Sequence, residues 1–274
     1  MANCDHNCEN CSQNCNERTA IQKLKTNERS NIKHVIGVVS GKGGVGKSFV
    51  TSLIASELNK RGYRVGILDG DITGPSIPKS FNIYEQATGD GHSFIFPALT
   101  KSGIKIISSN LLLEREDEPI IWRGSLLSSL LSQFFTDVLW EELDYLLIDM
   151  PPGTGDITLT AFQQFPLESV ICVTTPQDLV SMVVSKMINM AHKMNINVLG
   201  LVENMSYLKC PHCHEKINLY GESRINDLAK KHNVKVLGRL PLVVGDSEYI
   251  DKGDVELIKM EEVNSIIEAI IEGK

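Results

Sequence analysis

The residues Gly41-Lys42-Gly43-Gly44-Val45-Gly46-Lys47-Ser48 have the types and spacing to grip a phosphate chain. They fit G-x-x-x-x-G-K-[ST], in which glycines let successive backbone N–H groups turn inward as an anion nest. A helix starting where the loop ends adds partial positive charge. Lys47 then meets the β- and γ-phosphates, and the Ser48 hydroxyl can hold Mg²⁺. The motif carries weight only between a strand and a helix. Here the apolar run Val35–Val39 precedes it and the helix-compatible stretch Lys47–Lys60 follows. The expected ligand is a nucleoside triphosphate.

Two stretches of carboxylates accompany the loop. Asp69-Gly70-Asp71 follows one apolar run, and Asp149-Met150-Pro151-Pro152-Gly153 follows another. Phosphoryl transfer needs Mg²⁺ placement, water orientation and charge stabilisation, and little else. Asp149, at a neighbouring strand end, suits the holding of Mg²⁺. Asp71, on a loop able to reorganise around a γ-phosphate, suits orientation of the attacking water. Asp69 reads as structural, a strand-end carboxylate satisfied by nearby backbone N–H groups. Asp156 reads as the N-cap of an apolar helix.

Thiols form the third chemical group. Cys210 and Cys213 make a C-x-x-C on a loop between a strand and a helix. Two thiolates cannot complete a tetrahedral site or fill the four iron corners of a 4Fe–4S cube, so further ligands must come from elsewhere. Zinc competes with a cluster here, since His212 and His214 lie beside the cysteines. Against zinc, no second C-x-x-C follows, and adjacent Cys213 and His214 suit one tetrahedral ion poorly. Cys172, inside an apolar strand, reads as a small buried hydrophobe. Cys4, Cys8, Cys11 and Cys15 are enough to ligate one 4Fe–4S cluster. A straight helix through them would spread them over ~16 Å, too far for one cubane. The asparagine-rich surroundings also disfavour helix, so metal binding would fold a loop.

The elements that must position these groups are legible as a repeating pattern. Strands are expected at Val35–Val39, Val65–Leu68, Ile104–Ile107, Tyr145–Ile148, Val170–Thr174, Val198–Val202 and Val236–Leu240. Helical stretches between them include Leu126–Leu139, Leu179–Met194 and Arg224–His232. Such apolar strands separated by helices imply an α/β doubly wound, mostly parallel sheet with helices on both faces. Ligands of these sheets bind at the carboxyl ends of the strands, where all the motifs above fall. Residues 1–33 read as a cysteine-rich tail or linker, and residues 34–274 as one ATPase domain carrying the C-x-x-C loop. The final stretch has Val263, Ile266, Ile267, Ile270 and Ile271 on one face and glutamates on the other, which suits packing on the core.

At 274 residues and 42% hydrophobic content, the chain can bury a large core. A net charge of −7 argues against general nucleic-acid binding and against an anionic membrane surface. No apolar run approaches the ~18–20 residues that span a bilayer. Seven cysteines without a signal-peptide core suggest metal or redox use over disulfides, and a cytoplasmic location.

Lys42 narrows the class. The K-G-G-V-G-K-S form resembles the deviant phosphate-binding loop of the MinD/ParA group. That resemblance implies that Lys42 reaches phosphates bound by a facing subunit, coupling nucleotide to dimerisation. Phe49 departs from the hydroxyl residue usual after the loop serine, which puts an α-phosphate contact in doubt. A closer likeness rests on an ordered set: D-G-D-I-T-G-P-S-I-P from Asp69, Trp122-Arg123-Gly124, L-I-D-M-P-P-G-T-G-D ending at Asp156, Thr174–Gln177, Glu203–Tyr207, Cys210-Pro211-His212-Cys213 and Gly238–Leu242. Together these resemble the Mrp family of iron–sulfur cluster carrier ATPases across roughly residues 33–255.

The resemblance implies an ATPase that binds ATP with Mg²⁺ as a homodimer, and its turnover is expected to be slow because the useful output is a conformational change. It implies that a 4Fe–4S cluster bridges two subunits through Cys210 and Cys213 of each and passes to apo iron–sulfur proteins. It further implies that Asn204 contacts the adenine base and that the pocket for the base is lined around Pro241. Related scaffold ATPases carry an N-terminal four-cysteine cluster, with a spacing unlike C-x₃-C-x₂-C-x₃-C. The rivals are a MinD/ParA-type positioning ATPase and a zinc-stabilised nucleotide-dependent regulator. The first wants a basic C-terminal helix, where this chain has an acidic one. An electron-transfer reductase like the nitrogenase iron protein would arrange its cysteines differently.

Overall fold

Strands that are apolar on both faces require a layer of helices on each side. The computed structural model describes residues 22–273 apart from Thr73, Pro75, His92, residues 113–123 and His214. Its strands are β1 (Asn31–Ser40), β2 (Val65–Asp69), β3 (Thr88–Gly89), β4 (Ile95–Phe96), β5 (Ala98–Leu99), β6 (Lys105–Ile107), β7 (Glu142–Asp149), β8 (Ser169–Thr174), β9 (Asn197–Glu203), β10 (Leu208–Lys209), β11 (Lys216–Ile217) and β12 (Val236–Arg239). Its helices are α1 (Lys47–Lys60), α2 (Ile77–Ser80), α3 (Gly124–Thr136), α4 (Asp156–Gln164), α5 (Asp178–Lys193), α6 (Ile225–His232), α7 (Asp246–Asp251) and α8 (Asn264–Glu272).

Eight strands form one sheet in the order β12-β9-β8-β1-β7-β2-β6-β5. All neighbours are parallel except the short antiparallel edge strand β5. The chain builds outward from β1 through β2, then crosses to the other side at β8. Strand order therefore reverses beside β1, and the carboxyl ends of β1, β7 and β8 open the crevice where such sheets bind ligands.

Alternation along the strands feeds two cores. Val35 and Val39 of β1, with Leu146 and Ile148 of β7, pack against Leu131 and Phe134 of α3, Phe162 of α4 and Ile188 of α5. Ile36, Val38, Tyr145 and Leu147 face the other way, onto Ile54 and Leu58 of α1 and Ile266 and Ile267 of α8. Each such side chain contributes about 1.5–3 kcal/mol when fully buried, which anchors the strand ends that carry the site. Helix α8 thus packs its apolar face on the core, as its spacing predicts. Among the described residues, no helix is long and apolar enough to cross a membrane.

Several features depart from the sequence expectation. The strands β3, β4, β5, β10 and β11 are two residues each, too short to leave a periodic signal. Gly155 occupies the N-cap of α4, and Asp156 is its first helical residue. Its carboxylate there opposes the positive end of the helix. The folded part also reaches beyond the boundary expected at residue 33. The Leu24 N–H donates to Gln164 O at 2.7 Å, and Asn27 Nδ2 donates to Thr136 O at 2.9 Å and Val138 O at 2.8 Å. This segment satisfies carbonyls that the ends of α3 and α4 leave without helical partners. Cys4, Cys8, Cys11 and Cys15 lie outside the described residues, as do Trp122, Arg123 and His214.

Candidate functional site

The loop between β1 and α1 has the backbone that an anion nest requires. Gly44 and Gly46 adopt φ of 78° and 77°, left-handed values that favour glycine. Gly46 is also the N-cap of α1, so the free N–H groups of the first turn face the loop. Gly41 is needed for another reason: a Cβ there would lie 3.0 Å from both the Val183 Cβ and the Val184 nitrogen of α5. Phe49 is partly buried and packs on the core beneath α1.

Behind the loop, Asp149 is fully buried at the end of β7 and gathers three donors. Lys47 Nζ lies 2.6 Å from Asp149 Oδ2, Ser48 Oγ donates to the same oxygen at 2.6 Å, and Thr51 Oγ1 donates to Oδ1 at 2.7 Å. Asp71 Oδ2 sits 4.0 Å from Lys47 Nζ. Asp69 is level with Asp149 across the β2–β7 pair and is also buried. Its Oδ1 accepts the Asp71 N–H at 3.2 Å and its Oδ2 accepts Ser108 Oγ at 3.1 Å, which is the structural role expected. Burial, with the Asp149 charge beside it, pushes the Asp69 carboxyl up to about 7. A carboxylate joined to hydroxyl oxygens is the hard-oxygen donor set that Mg²⁺ takes, so Asp149 and Ser48 fit that ion.

The signature lysine lies at the mouth of the loop, where Lys42 Nζ donates to Gln177 Oε1 at 2.7 Å. Asn204, just beyond β9, is brought beneath the loop. Its Nδ2 donates to the Val45 carbonyl at 3.0 Å. Pro241 is buried on the neighbouring strand end, held there by the Leu240 N–H donating to Glu203 O at 2.8 Å.

The C-x-x-C sits at the tip of an antiparallel hairpin made by β10 and β11, closed by the Cys210 N–H donating to Glu215 O at 2.9 Å. Cys210 is partly exposed and Cys213 exposed. The backbone N–H of Cys213, then that of His212, and the Cys213 side chain hold the Cys210 thiol below its usual range. Such N–H groups favour the thiolate, which is the metal-binding form. Cys172 is buried in β8, and burial pushes its thiol up to about 12, as suits an inert core residue. Among the described residues, no cluster of three or more His, Cys, Asp or Glu is arranged to hold a metal ion.

The family model described as ParA, NUBPL iron-transfer P-loop NTPase, matches residues 31–273. The chain belongs to this NUBPL-type NTPase family. An iron–sulfur cluster carrier protein of Clostridium perfringens is 49% identical, over 92% of this chain and 89% of that one. One from Methanocaldococcus jannaschii is 43% identical, over 99% of this chain and 98% of its own length. A solved nucleotide-binding protein of Archaeoglobus fulgidus, in complex with ADP, superposes with a TM-score of 0.74 at 41% identity, over 83% of this chain and 89% of that one. The cell division ATPase MinD of Pyrococcus furiosus, at 18% identity and a TM-score of 0.62, covers 88% of this chain and 99% of that one, and shares the fold.

Some contacts of this NUBPL-type site escape a reading of motifs, even where a motif contains one of the partners. Thr51 lies one helical turn after Lys47, and that i+4 spacing is the signal that could have found it. Glu203 is buried and accepts Ser206 Oγ at 2.5 Å and Ser223 Oγ at 2.7 Å. Ser223 lies beyond the hairpin, so no local spacing pairs it with Glu203. The Gln177 partner of Lys42 is equally remote along the chain.

Proposed function

We propose that this NUBPL-type NTPase binds and hydrolyses ATP with Mg²⁺ and carries a 4Fe–4S cluster that it delivers to apo-proteins. The observation that carries the reading is the thiol hairpin: two cysteines, one held toward thiolate by backbone N–H groups, on a hairpin whose base is tied by the Leu242 N–H to Tyr207 O at the same end of the sheet as the phosphate-binding loop. The cargo follows from that pairing together with the carrier names of close relatives.

In this reading the N–H groups of Gly41–Ser48 bind the phosphates, and Lys47 turns from Asp149 to meet them. Ser48 and Asp149 would hold Mg²⁺, which neutralises phosphate charge when bound. Asp71, near Lys47, orients the attacking water. Lys42 reaches the facing subunit of a homodimer, and each subunit presents Cys210 and Cys213 to one shared cluster. Exposed Ile217 and Leu242 beside the hairpin give a second copy apolar surface to cover. Cys4, Cys8, Cys11 and Cys15 hold a second cluster. The adenine base lies toward Pro241.

Anaerobic purification followed by iron, sulfide and zinc quantification per monomer tests the reading. Cys210→Ala/Cys213→Ala and deletion of residues 1–21 are each expected to lose part of the iron and sulfide. Zinc without sulfide in the unaltered protein would overturn cluster carriage.

A further inference from the structure

Asn204 is buried and committed in two directions. Its side-chain Nδ2 donates to Val45 O of the phosphate-binding loop at 3.0 Å, and its backbone N–H donates to Thr174 O at 2.8 Å. A Cβ on Gly46 would fall 2.2 Å from that Nδ2, so the missing side chain at Gly46 makes room for the contact. The next residue, Met205, has φ of 53°, a left-handed backbone that L side chains rarely adopt. Such conformations persist where the surroundings impose them, and they gather at switch regions.

From Met205 the chain runs directly to the thiols. The Ser206 N–H donates to Leu240 O at 2.9 Å, and the Leu242 N–H donates to Tyr207 O at 2.7 Å. Tyr207 donates its hydroxyl to Glu262 at 2.9 Å, and Lys216 of β11 lies over its ring, 4.3 Å from the centroid. Leu208 then opens the hairpin that carries Cys210. The buried Glu203 carboxylate accepts from Ser206 on one side of the hairpin and from Ser223 on the other. One carboxylate thus holds both feet, and the hairpin is clamped to the segment that grips the loop.

We propose that Asn204 is a positioning residue that couples the phosphate-binding loop to the Cys210/Cys213 hairpin, so that nucleotide in the loop changes the exposure of the two thiols. Phosphates engage the N–H groups on either side of Val45. Its carbonyl moves with them, and Asn204 carries that movement to the kink at Met205. The proposal rests on the reading of the loop as a nucleotide site and deepens it by naming how that site regulates the thiols. It does not depend on what the thiols carry.

The test uses the full chain, cluster-free and reduced, with iodoacetamide as the probe. Alkylation of the peptide bearing Cys210 and Cys213 is followed by mass spectrometry, with and without a saturating non-hydrolysable ATP analogue and Mg²⁺. The unaltered protein is expected to show a rate ratio of about fivefold or more between the two states, the lower end of ordinary site-to-site coupling. Asn204→Ala and Asn204→Asp, each brought to saturation with the analogue by direct titration, are expected to bring that ratio close to one, while buried Cys172 stays protected as the internal report of folding. Met205→Gly leaves the amide in place and frees the kink, and is expected to lower the ratio as well. An unaltered protein without a nucleotide response, or variants that all keep its ratio, would overturn the coupling. So would an Asn204→Ala protein that loses ATP binding but keeps GTP binding, because Asn204 would then be reading the base. Absence of iron and sulfide would overturn cluster carriage and leave this coupling measurable.

Discussion

Lys47 and Asp149 form an ion pair with almost no contact with water, and Asp69 and Asp71 stand beside it. The Lys47 ammonium thus faces the Asp149 carboxylate directly and the Asp71 carboxylate at 4.0 Å, and it also acts on Asp69. Removing one partner of a buried pair leaves an uncompensated charge and costs about 3–5 kcal/mol. The two partners are not equivalent here. Asp149→Asn removes the charge that helps push the Asp69 carboxyl up, which offsets part of the loss. Lys47→Met removes the cation that lies beside Asp149 and Asp71 and acts on Asp69. Urea denaturation without nucleotide is expected to find both variants less stable, with Lys47→Met the worse of the two. The reverse order would mean that Asp71 and Asp69 carry little charge in the folded protein.

The phosphate-binding loop must turn sharply into α1, and its two left-handed glycines do so under different constraints. Nothing lies within 4 Å of where a Gly44 Cβ would sit, so Gly44→Ala meets only the left-handed backbone cost of about 1–2 kcal/mol. At Gly46 the same cost is joined by a collision with the Asn204 amide. Displacing that amide leaves a buried donor and the Val45 carbonyl unpaired, about 1–3 kcal/mol more. Thermal denaturation without nucleotide is expected to rank Gly46→Ala well below Gly44→Ala. Equal losses would show that the loop yields and that Asn204 follows it freely.

The two ends of the sheet divide the work of the molecule. Loop, carboxylates and thiol hairpin occupy the carboxyl ends of the strands, while the opposite end is tied by charge. There Asp144 accepts from Lys33 Nζ at 2.8 Å, from the Arg64 N–H at 2.9 Å and from the Arg64 guanidinium at 3.2 Å, linking β1, β7 and the entry to β2. The Arg64 guanidinium, then Lys33, hold the Asp144 carboxyl well below the usual carboxylate range. A depressed folded value means that the contribution is present above the unfolded pKa, near 3.8, and is lost as pH falls through the folded one. Arg64 and Lys33 are half exposed, so solvent screening keeps the contribution small. Asp144→Asn is expected to be slightly less stable at neutral pH, with the gap closing as pH drops below that range. A gap independent of pH would assign the effect to packing instead of charge.

Much of this architecture was legible before any coordinates. Helix α1 spans Lys47–Lys60 as its pattern predicts, and the loop, the Asp149 strand end and the seven principal strands fall where apolar runs and turn residues place them. These features are local: hydrophobic period, glycine content and residue spacing encode them within a few residues. The partners of buried polar groups are not local. Asn204 meets Val45, Glu203 meets Ser223, and Lys42 meets Gln177 because parallel strands distant in sequence end side by side. Residues 24–27 dock for the same reason, since they find helix carbonyls that only the assembled layers present. The chain's own pattern therefore specifies which chemical groups exist and which elements carry them. Packing of those elements selects which groups touch, because a buried donor must find whatever acceptor the assembled core brings within reach.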